Sequence, residues 1–200
     1  MENFIYLASQ SPRRRQLLEQ LGVRYEMLLP DADENTEALE VVLKNEAPAN
    51  YVKRVTALKL DAAVARLERR KLLPAPVLCA DTTVAMKRII YGKPENDKDA
   101  VRMLSQLSGT THRVLTAIAV QSGHQRLQAL STSRVRFETM TAAQILAYTA
   151  TGEPMGKAGA YAIQGRAAQY VGHISGSFSG IMGLPLRETA LLLQSAGIHI

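Results

Sequence analysis

Apolar residues gather in short unbroken runs, and these alternate with longer segments in which apolar positions recur every three to four residues. Phe4–Ala8 is the first run and predicts a buried strand. A Ser9-Gln10-Ser11-Pro12 turn follows it. Leu17, Leu18 and Leu21 then recur at helical spacing, with Pro12 suited to the first turn and Gly22 to the stop. Ala49–Leu72 predicts an amphipathic helix with Val52, Val55, Leu58, Ala62 and Ala65 as its apolar positions, ended by Pro74 and Pro76. Val77–Ala80 is a second buried strand, with Asp81 at its carboxyl end. Asp97–Leu107 reads as a helix closed by Ser108-Gly109, and Val114–Val120 as a strand. In Arg134–Phe137, Val135 and Phe137 alternate with arginines, which is the pattern of a half-exposed strand. Thr141 and Gln144 form a capping box that opens a helix to about Ala150. Glycine and small polar residues over Tyr161–Gly183 predict loops and short strands, and Pro185 and Gly197 frame a last helix carrying Leu191, Leu192 and Leu193. Strands and helices interleave, so the pattern favours an α/β or α+β architecture. A second lobe could form from the middle of the chain and return to the first near the C-terminus.

Composition narrows the classes open to this pattern. The 200 residues suit one domain, or two small lobes sharing a core. A 46% hydrophobic, 21% charged chain is ordinary for a folded protein and argues against disorder. No apolar run approaches the roughly 20 residues that span a bilayer. Met1–Leu7 lacks the basic start of a signal peptide. Cys79 is the only cysteine, which excludes an intramolecular disulfide and a cysteine-cluster zinc site. A cytoplasmic, reducing location is therefore expected. The net charge of +6 suits a phosphate-bearing partner without separating nucleotide from nucleic acid. With no tryptophan and 5% aromatic residues, a stacking platform for single strands is disfavoured.

Three places could carry chemistry. Ser9-Gln10-Ser11-Pro12-Arg13-Arg14 lies between a strand and a helix, where free backbone N–H groups, hydroxyls and guanidiniums can meet a phosphate. The plainer alternative is that Ser11 caps a helix and the arginines are solvated. Asp81, followed by Thr82 and Thr83, stands where ligands bind in α/β sheets and could hold a divalent cation or take a proton from water; it could equally cap the next turn. The acidic stretch Asp31-Ala32-Asp33-Glu34 could share a hard cation with Asp81, although a solvated loop is the better reading of these residues alone. Lys59, Lys93 and Lys157 could reach a phosphate as point charges. The Arg66, Arg69, Arg70, Lys71 cluster reads as a solvated helix end. Neither Gly92-Lys93 nor Gly156-Lys157 continues into a phosphate-binding Walker sequence, and His112, His124, His173 and His199 lack the spacing of a transition-metal site. Any metal would be oxygen-ligated, as Mg²⁺ or Mn²⁺ is.

Taken in order, LASQSPRRRQLLEQLG, DADE, YVKRVTALK, ADTTV, GKP, LSGTTHRVLTA, RVRFETMTAAQILAYTATGEPMGKAGAYAIQG and SGSFSGIMGLPL resemble the Maf family of nucleoside triphosphate pyrophosphatases. The resemblance covers nearly the whole chain. It implies one domain over residues 1–200, with an elongated mixed sheet, flanking helices and two lobes around a cleft, similar to the inosine triphosphate pyrophosphatase fold. It implies hydrolysis of a nucleoside triphosphate to the monophosphate and pyrophosphate with a divalent cation, Mg²⁺ or Mn²⁺. The family's catalytic proton acceptor falls on Asp81, its phosphate-binding positions on Ser9, Arg13, Arg14, Lys59 and Lys93, and its metal-side carboxylates on Glu34 and Asp81; Lys157 is a further candidate for the cleft. Arg13, Thr82 and Gln164 match the positions that mark the dTTP/UTP subfamily. Gln164 offers the donor and acceptors that the mixed edge of uracil or thymine needs. The resemblance also implies a homodimer, and neither membrane nor nucleic acid is expected as a partner. The alternatives are a pyrophosphatase for another base, such as 7-methyl-GTP, and a non-catalytic regulator of cell division that binds nucleotide or nucleic acid. Two departures stand out: Cys79 replaces the usual glycine before Ala80-Asp81, and the loop over 35–50 is longer than usual and carries Leu39, Val41, Val42 and Leu43.

Overall fold

The computed structural model describes residues 4–32, 34–35 and 37–200. Residues 1–3, Asp33 and Thr36 lie outside the described residues. The sheet has seven strands: β1 (Ile5–Leu7), β2 (Tyr25–Met27), β3 (Val77–Met86), β4 (Ile89–Tyr91), β5 (Thr111–Ser122), β6 (Gln125–Phe137) and β7 (Val171–Ser175). Their order is β2-β1-β3-β5-β6-β7, with β4 also pairing β3. β1 pairs β2 and β3 in parallel, and the remaining pairings are antiparallel, so the sheet is mixed. The helices are α1 (Pro12–Gln20), α2 (Pro48–Arg69), α3 (Asp97–Leu107), α4 (Ala142–Thr149), α5 (Phe178–Met182) and α6 (Leu186–Ser195). Among the described residues, no helix is long and apolar enough to cross a membrane.

Each face of the sheet is covered where its side chains demand it. Phe4, Tyr6, Val77 and Cys79 pack against Leu60 and Ala63 of α2. On the opposite face, Ile5, Leu7, Leu78 and Ile118 pack with Leu17 and Leu18 of α1 and Leu193 of α6. A separate core around Tyr91, Leu104, Leu107, Phe137, Ile145 and Tyr148 joins α3 and α4 to the far end of β5 and β6. Each large apolar side chain buried this way contributes about 1.5–3 kcal/mol. Cys79 is buried among these apolar groups, and burial pushes its thiol up to about 12, so it packs as a small hydrophobe.

Three details depart from the sequence pattern. Asp81 stands in the middle of a strand, because the β-branched and apolar run Thr82–Met86 carries β3 on and pairs it with β5 from Val77 to Ala85. Parallel pairing with β1 nevertheless ends at Leu78, and pairing with β4 begins at Val84. Asp81 therefore lies in a gap along one side of β3. Second, the buried face of α2 is rotated from the expected stripe. It carries Val52, Val55, Thr56, Leu60, Ala63 and Arg66, while Leu58 is exposed. Third, α6 buries Leu193 together with the polar Thr189, and Leu191 faces outward.

Candidate active site

A cleft of about 580 Å³ opens onto the gap in β3. The β1–α1 turn brings Ser9, Arg13 and Arg14 to it, α2 brings Lys59, β3 brings Asp81 and Thr82, and the segments after β4 and α4 bring Lys93, Lys157 and Gln164. Alternation along β3 separates its side chains. Asp81 points to the α2 face, where Lys59 meets it, and Thr82 to the α1 face, where Arg14 meets it. The cleft thus wraps around an open strand edge and draws on both faces of the sheet.

Asp81 is 6% exposed, and its Oδ1 accepts a 2.6 Å hydrogen bond from Lys59 Nζ. Burial raises the Asp81 pKa, against the opposing pull of Lys59 and Arg14. The same Nζ lies 2.7 Å from Glu40 Oε1. Burial works against the charge on Lys59, but Asp81 and Glu40 outweigh it and its pKa is raised. Lys93 Nζ lies 3.0 Å from Glu40 Oε2. Burial of Glu40 is in turn outweighed by Lys59 and Lys93, so its pKa is lowered. The Tyr51 hydroxyl donates to the Glu40 carbonyl at 3.0 Å and fixes the backbone that presents this carboxylate.

On the other side of β3, Arg14 is held from three directions. Its Nε donates to the Gly183 carbonyl at 2.9 Å, Nη1 to Ser9 Oγ at 3.2 Å and Nη2 to Thr82 Oγ1 at 3.3 Å. Ser9 Oγ also accepts from the Ser11 N–H, which shapes the turn into α1. Ser11 occupies the N-cap of α1 without a side-chain cap bond, so it does not act as the capping serine that local pattern allowed. Arg13 Nε is buried without a partner, and burial lowers the Arg13 pKa. Gln164 is exposed on the cleft wall, and Lys157 donates to the Glu153 carbonyl. The glycine of Lys157-Ala158-Gly159 has φ 70°, and a Cβ there would lie 2.8 Å from Val84 Cγ2, so this loop can pack on β3 only as glycine.

Glu34 is not brought to this group. Its carboxylate is bound by Arg66 and by Arg69, and it does not line the cleft. The hydrogen bond from Arg66 is the main cause holding its pKa down at about 2. Asp31 is paired with Arg69 and Arg70. The acidic stretch and the basic helix end, each expected to be solvated, therefore neutralise one another, and Arg66 is only 2% exposed. Sequence reasoning missed Glu40. It sits at the end of a 3-10 turn, Glu37–Glu40, and no periodicity links that turn to Lys59, which is why no signal marked it. It also missed the seat that the SGSFSGIMG segment builds for Arg14 through the Gly183 carbonyl, although the motif itself was legible.

Among the described residues, no cluster of three or more His, Cys, Asp or Glu side chains could cage a metal. A small hard cation commonly needs fewer protein ligands, taking one or two carboxylates together with substrate phosphates. Asp81 and Glu40, both drawn to Lys59, are hard oxygen donors that fit this use.

A buried carboxylate facing a cleft lined by arginine and lysine defines a site for a polyanion. The chain belongs to the Maf family: the profile of the Maf-like protein family matches residues 4–196. It is 69% identical to the dTTP/UTP pyrophosphatase of Polaromonas sp., over 99% of this chain and 98% of that protein. It is 66% identical to the dTTP/UTP pyrophosphatase of Albidiferax ferrireducens, over 100% of both. The structure of the Staphylococcus aureus Ham1 protein is 12% identical, covers 96% of each chain and has a TM-score of 0.42.

Proposed function

We propose that the protein hydrolyses dTTP and UTP, with modified pyrimidine nucleotides as a related class, to the nucleoside monophosphate and pyrophosphate. The role is house-cleaning of the cytoplasmic nucleotide pool. The observation that carries this reading is the convergence on the β3 gap of buried Asp81 with Lys59 on one face and Arg14 on the other. The names of the close relatives supply the base preference. The cleft volume falls within the roughly 300–1,000 Å³ typical of small-molecule sites.

In this reading water attacks the α-phosphorus and pyrophosphate leaves. With Oδ1 held by Lys59, Oδ2 of Asp81 takes the proton from the water. Burial, by raising the Asp81 pKa, makes it a stronger base than an exposed aspartate. Arg13, Arg14, Lys59 and Lys93 offset charge as it moves onto the leaving phosphates, and the Ser9 hydroxyl holds Arg14 in place. Asp81 and Glu40 would hold a divalent cation, Mg²⁺ or Mn²⁺, which supplies further positive charge at the phosphates. The resemblance puts Glu34 on the cation side as well, and reaching it would require Glu34 to leave Arg66 and Arg69. Arg13 and Gln164 carry the pyrimidine preference, with Gln164 presenting its amide to the base, while Thr82 stands at the third subfamily-marking position beside Arg14. The reading includes a homodimer.

The test is turnover of dTTP, UTP, CTP, ITP and 7-methyl-GTP with Mg²⁺ or Mn²⁺, measuring pyrophosphate and orthophosphate separately. Pyrophosphate released chiefly from dTTP and UTP is the expected result. Release chiefly from another base would overturn the specificity, and none from any would overturn the reaction.

A further inference from the structure

Thr82 and Thr116 face each other across β3 and β5 as register partners, with their hydroxyl oxygens 2.9 Å apart. Thr116 Oγ1 lies 2.7 Å from the Gly180 carbonyl in α5, and Arg14 Nη2 lies 3.3 Å from Thr82 Oγ1. Geometry alone leaves the direction of the central bond open, but its neighbours do not. A carbonyl only accepts, so the single Thr116 proton goes to Gly180. Thr116 must then accept from Thr82, which spends the single Thr82 proton. A guanidinium only donates, so Thr82 accepts from Arg14. The chain of bonds therefore has one polarity: Arg14 to Thr82, to Thr116, to the Gly180 carbonyl. α5 holds both ends of this arrangement, since the Gly183 carbonyl just beyond it accepts from Arg14 Nε. The helix fits close because position 180 has no side chain; a Cβ there would lie 3.0 Å from Ser131 Oγ.

We propose that Thr82 and Thr116 are positioning residues for Arg14, and that Thr82 acts on the substrate through this guanidinium instead of donating to the base. With Nε and one N–H of each terminal nitrogen engaged, Arg14 keeps one N–H on Nη1 and one on Nη2 for phosphate oxygens. The inference rests on the pyrophosphatase reading above for its substrate, and it reassigns the part played by Thr82 at the subfamily-marking position. A role at the phosphates predicts that losing either hydroxyl weakens every triphosphate alike. A role at the base predicts a change in preference among bases.

The experiment uses the full chain as Thr82→Val, Thr116→Val, Thr82→Ser and Thr116→Ser. Calorimetry with inorganic tripolyphosphate and Mg²⁺ reads phosphate binding without a base, and kcat/KM is measured for dTTP, UTP and CTP. Each valine variant is expected to weaken tripolyphosphate binding by about threefold to tenfold, the range of one lost hydrogen bond. It should lower kcat/KM for the three nucleotides by a common factor, and each serine variant should restore both. Valine variants that bind tripolyphosphate as wild type does, or that change the ratio of dTTP to CTP, would overturn the proposal. Thr116→Ala removes the same hydroxyl if valine is not accommodated beside Gly180. If the wild-type protein released no pyrophosphate from any nucleotide, the function reading would fail, while tripolyphosphate binding would still decide the roles of Thr82 and Thr116.

Discussion

The Lys59 ammonium lies 2.6 Å from Asp81 Oδ1, a contact made possible because α2 crosses the sheet face where β3 has no neighbour on one side. The lysine is only 18% exposed at its side chain, so it is committed to this position by its surroundings as well as its charge. It gives Asp81 a fixed orientation while leaving Oδ2 for chemistry.

Asp81→Asn is expected to lower kcat for pyrophosphate release by about a hundredfold to ten-thousandfold, the usual worth of a positioned general base. The amide keeps the size of the carboxylate, and Lys59 retains Glu40 as its counter-charge. Circular dichroism and denaturant midpoint should therefore stay near wild type. A folded Asn variant with near-normal turnover would remove Asp81 from the mechanism.

Glu34 and Glu40 should separate cleanly. Glu40→Gln is expected to raise the Mg²⁺ concentration for half-maximal rate by at least about tenfold. Glu34→Gln takes the counter-charge from buried Arg66 and should reduce unfolding free energy by about 2–4 kcal/mol. Its Mg²⁺ requirement should move by less than about twofold, well short of the loss of a metal ligand. Urea melts and Mg²⁺ titrations of both variants check this, and the reverse pattern would restore Glu34 to the cation.

His112 gives the fold a pH dependence. It is 1% exposed, its Nε2 bonds the Tyr161 hydroxyl at 2.8 Å, its Nδ1 has no partner, and burial pushes its pKa down to about 4. The unfolded chain binds this proton more readily, so the stability is fully present above about 6.5 and is lost as pH falls through about 4. A loss of about 2–3 kcal/mol is expected between about pH 7 and about pH 4.5. His112→Gln should flatten that part of the profile in urea melts.

Gly159→Ala is expected to reduce stability by about 2–4 kcal/mol, combining left-handed backbone strain with overpacking on Val84. Adding Val84→Ala should return part of the loss, which a double-mutant cycle by thermal melts would read as coupling. Strict additivity would show that the contact does not limit the loop.

What the sequence made legible follows from how locally each feature is encoded. α3 spans Asp97–Leu107 as its pattern predicts and stops at the expected Ser108-Gly109, and the capping box at Thr141 and Gln144 forms as both halves of the pattern require. Asp81, Lys59, Arg14 and Lys93 were nameable because ordered motifs carry them. The true face of α2 was not, because Thr56 and Arg66 are polar residues whose burial depends on distant partners. Nor was the course of β3 past Asp81, since the deciding partner, β5, starts thirty residues later at Thr111 (111 − 81 = 30). Glu40 was hidden for the same reason: what defines it is a lysine on another element.

An unpaired strand edge normally invites pairing with another chain, and proteins guard such edges with charge, bends or cover. Here the unpaired stretch of β3 between Leu78 and Val84 is enclosed by the walls of the cleft and carries a charged aspartate at its centre. The Ser9 turn keeps that stretch bare, because it diverts the chain into α1 just after Ala8 has made its bond to the Leu78 carbonyl. Changes that straightened this turn would let β1 zip onward along β3 and seal the opening, so a few residues of unfinished sheet keep the cleft open to a ligand while its walls shield that edge from pairing with another strand.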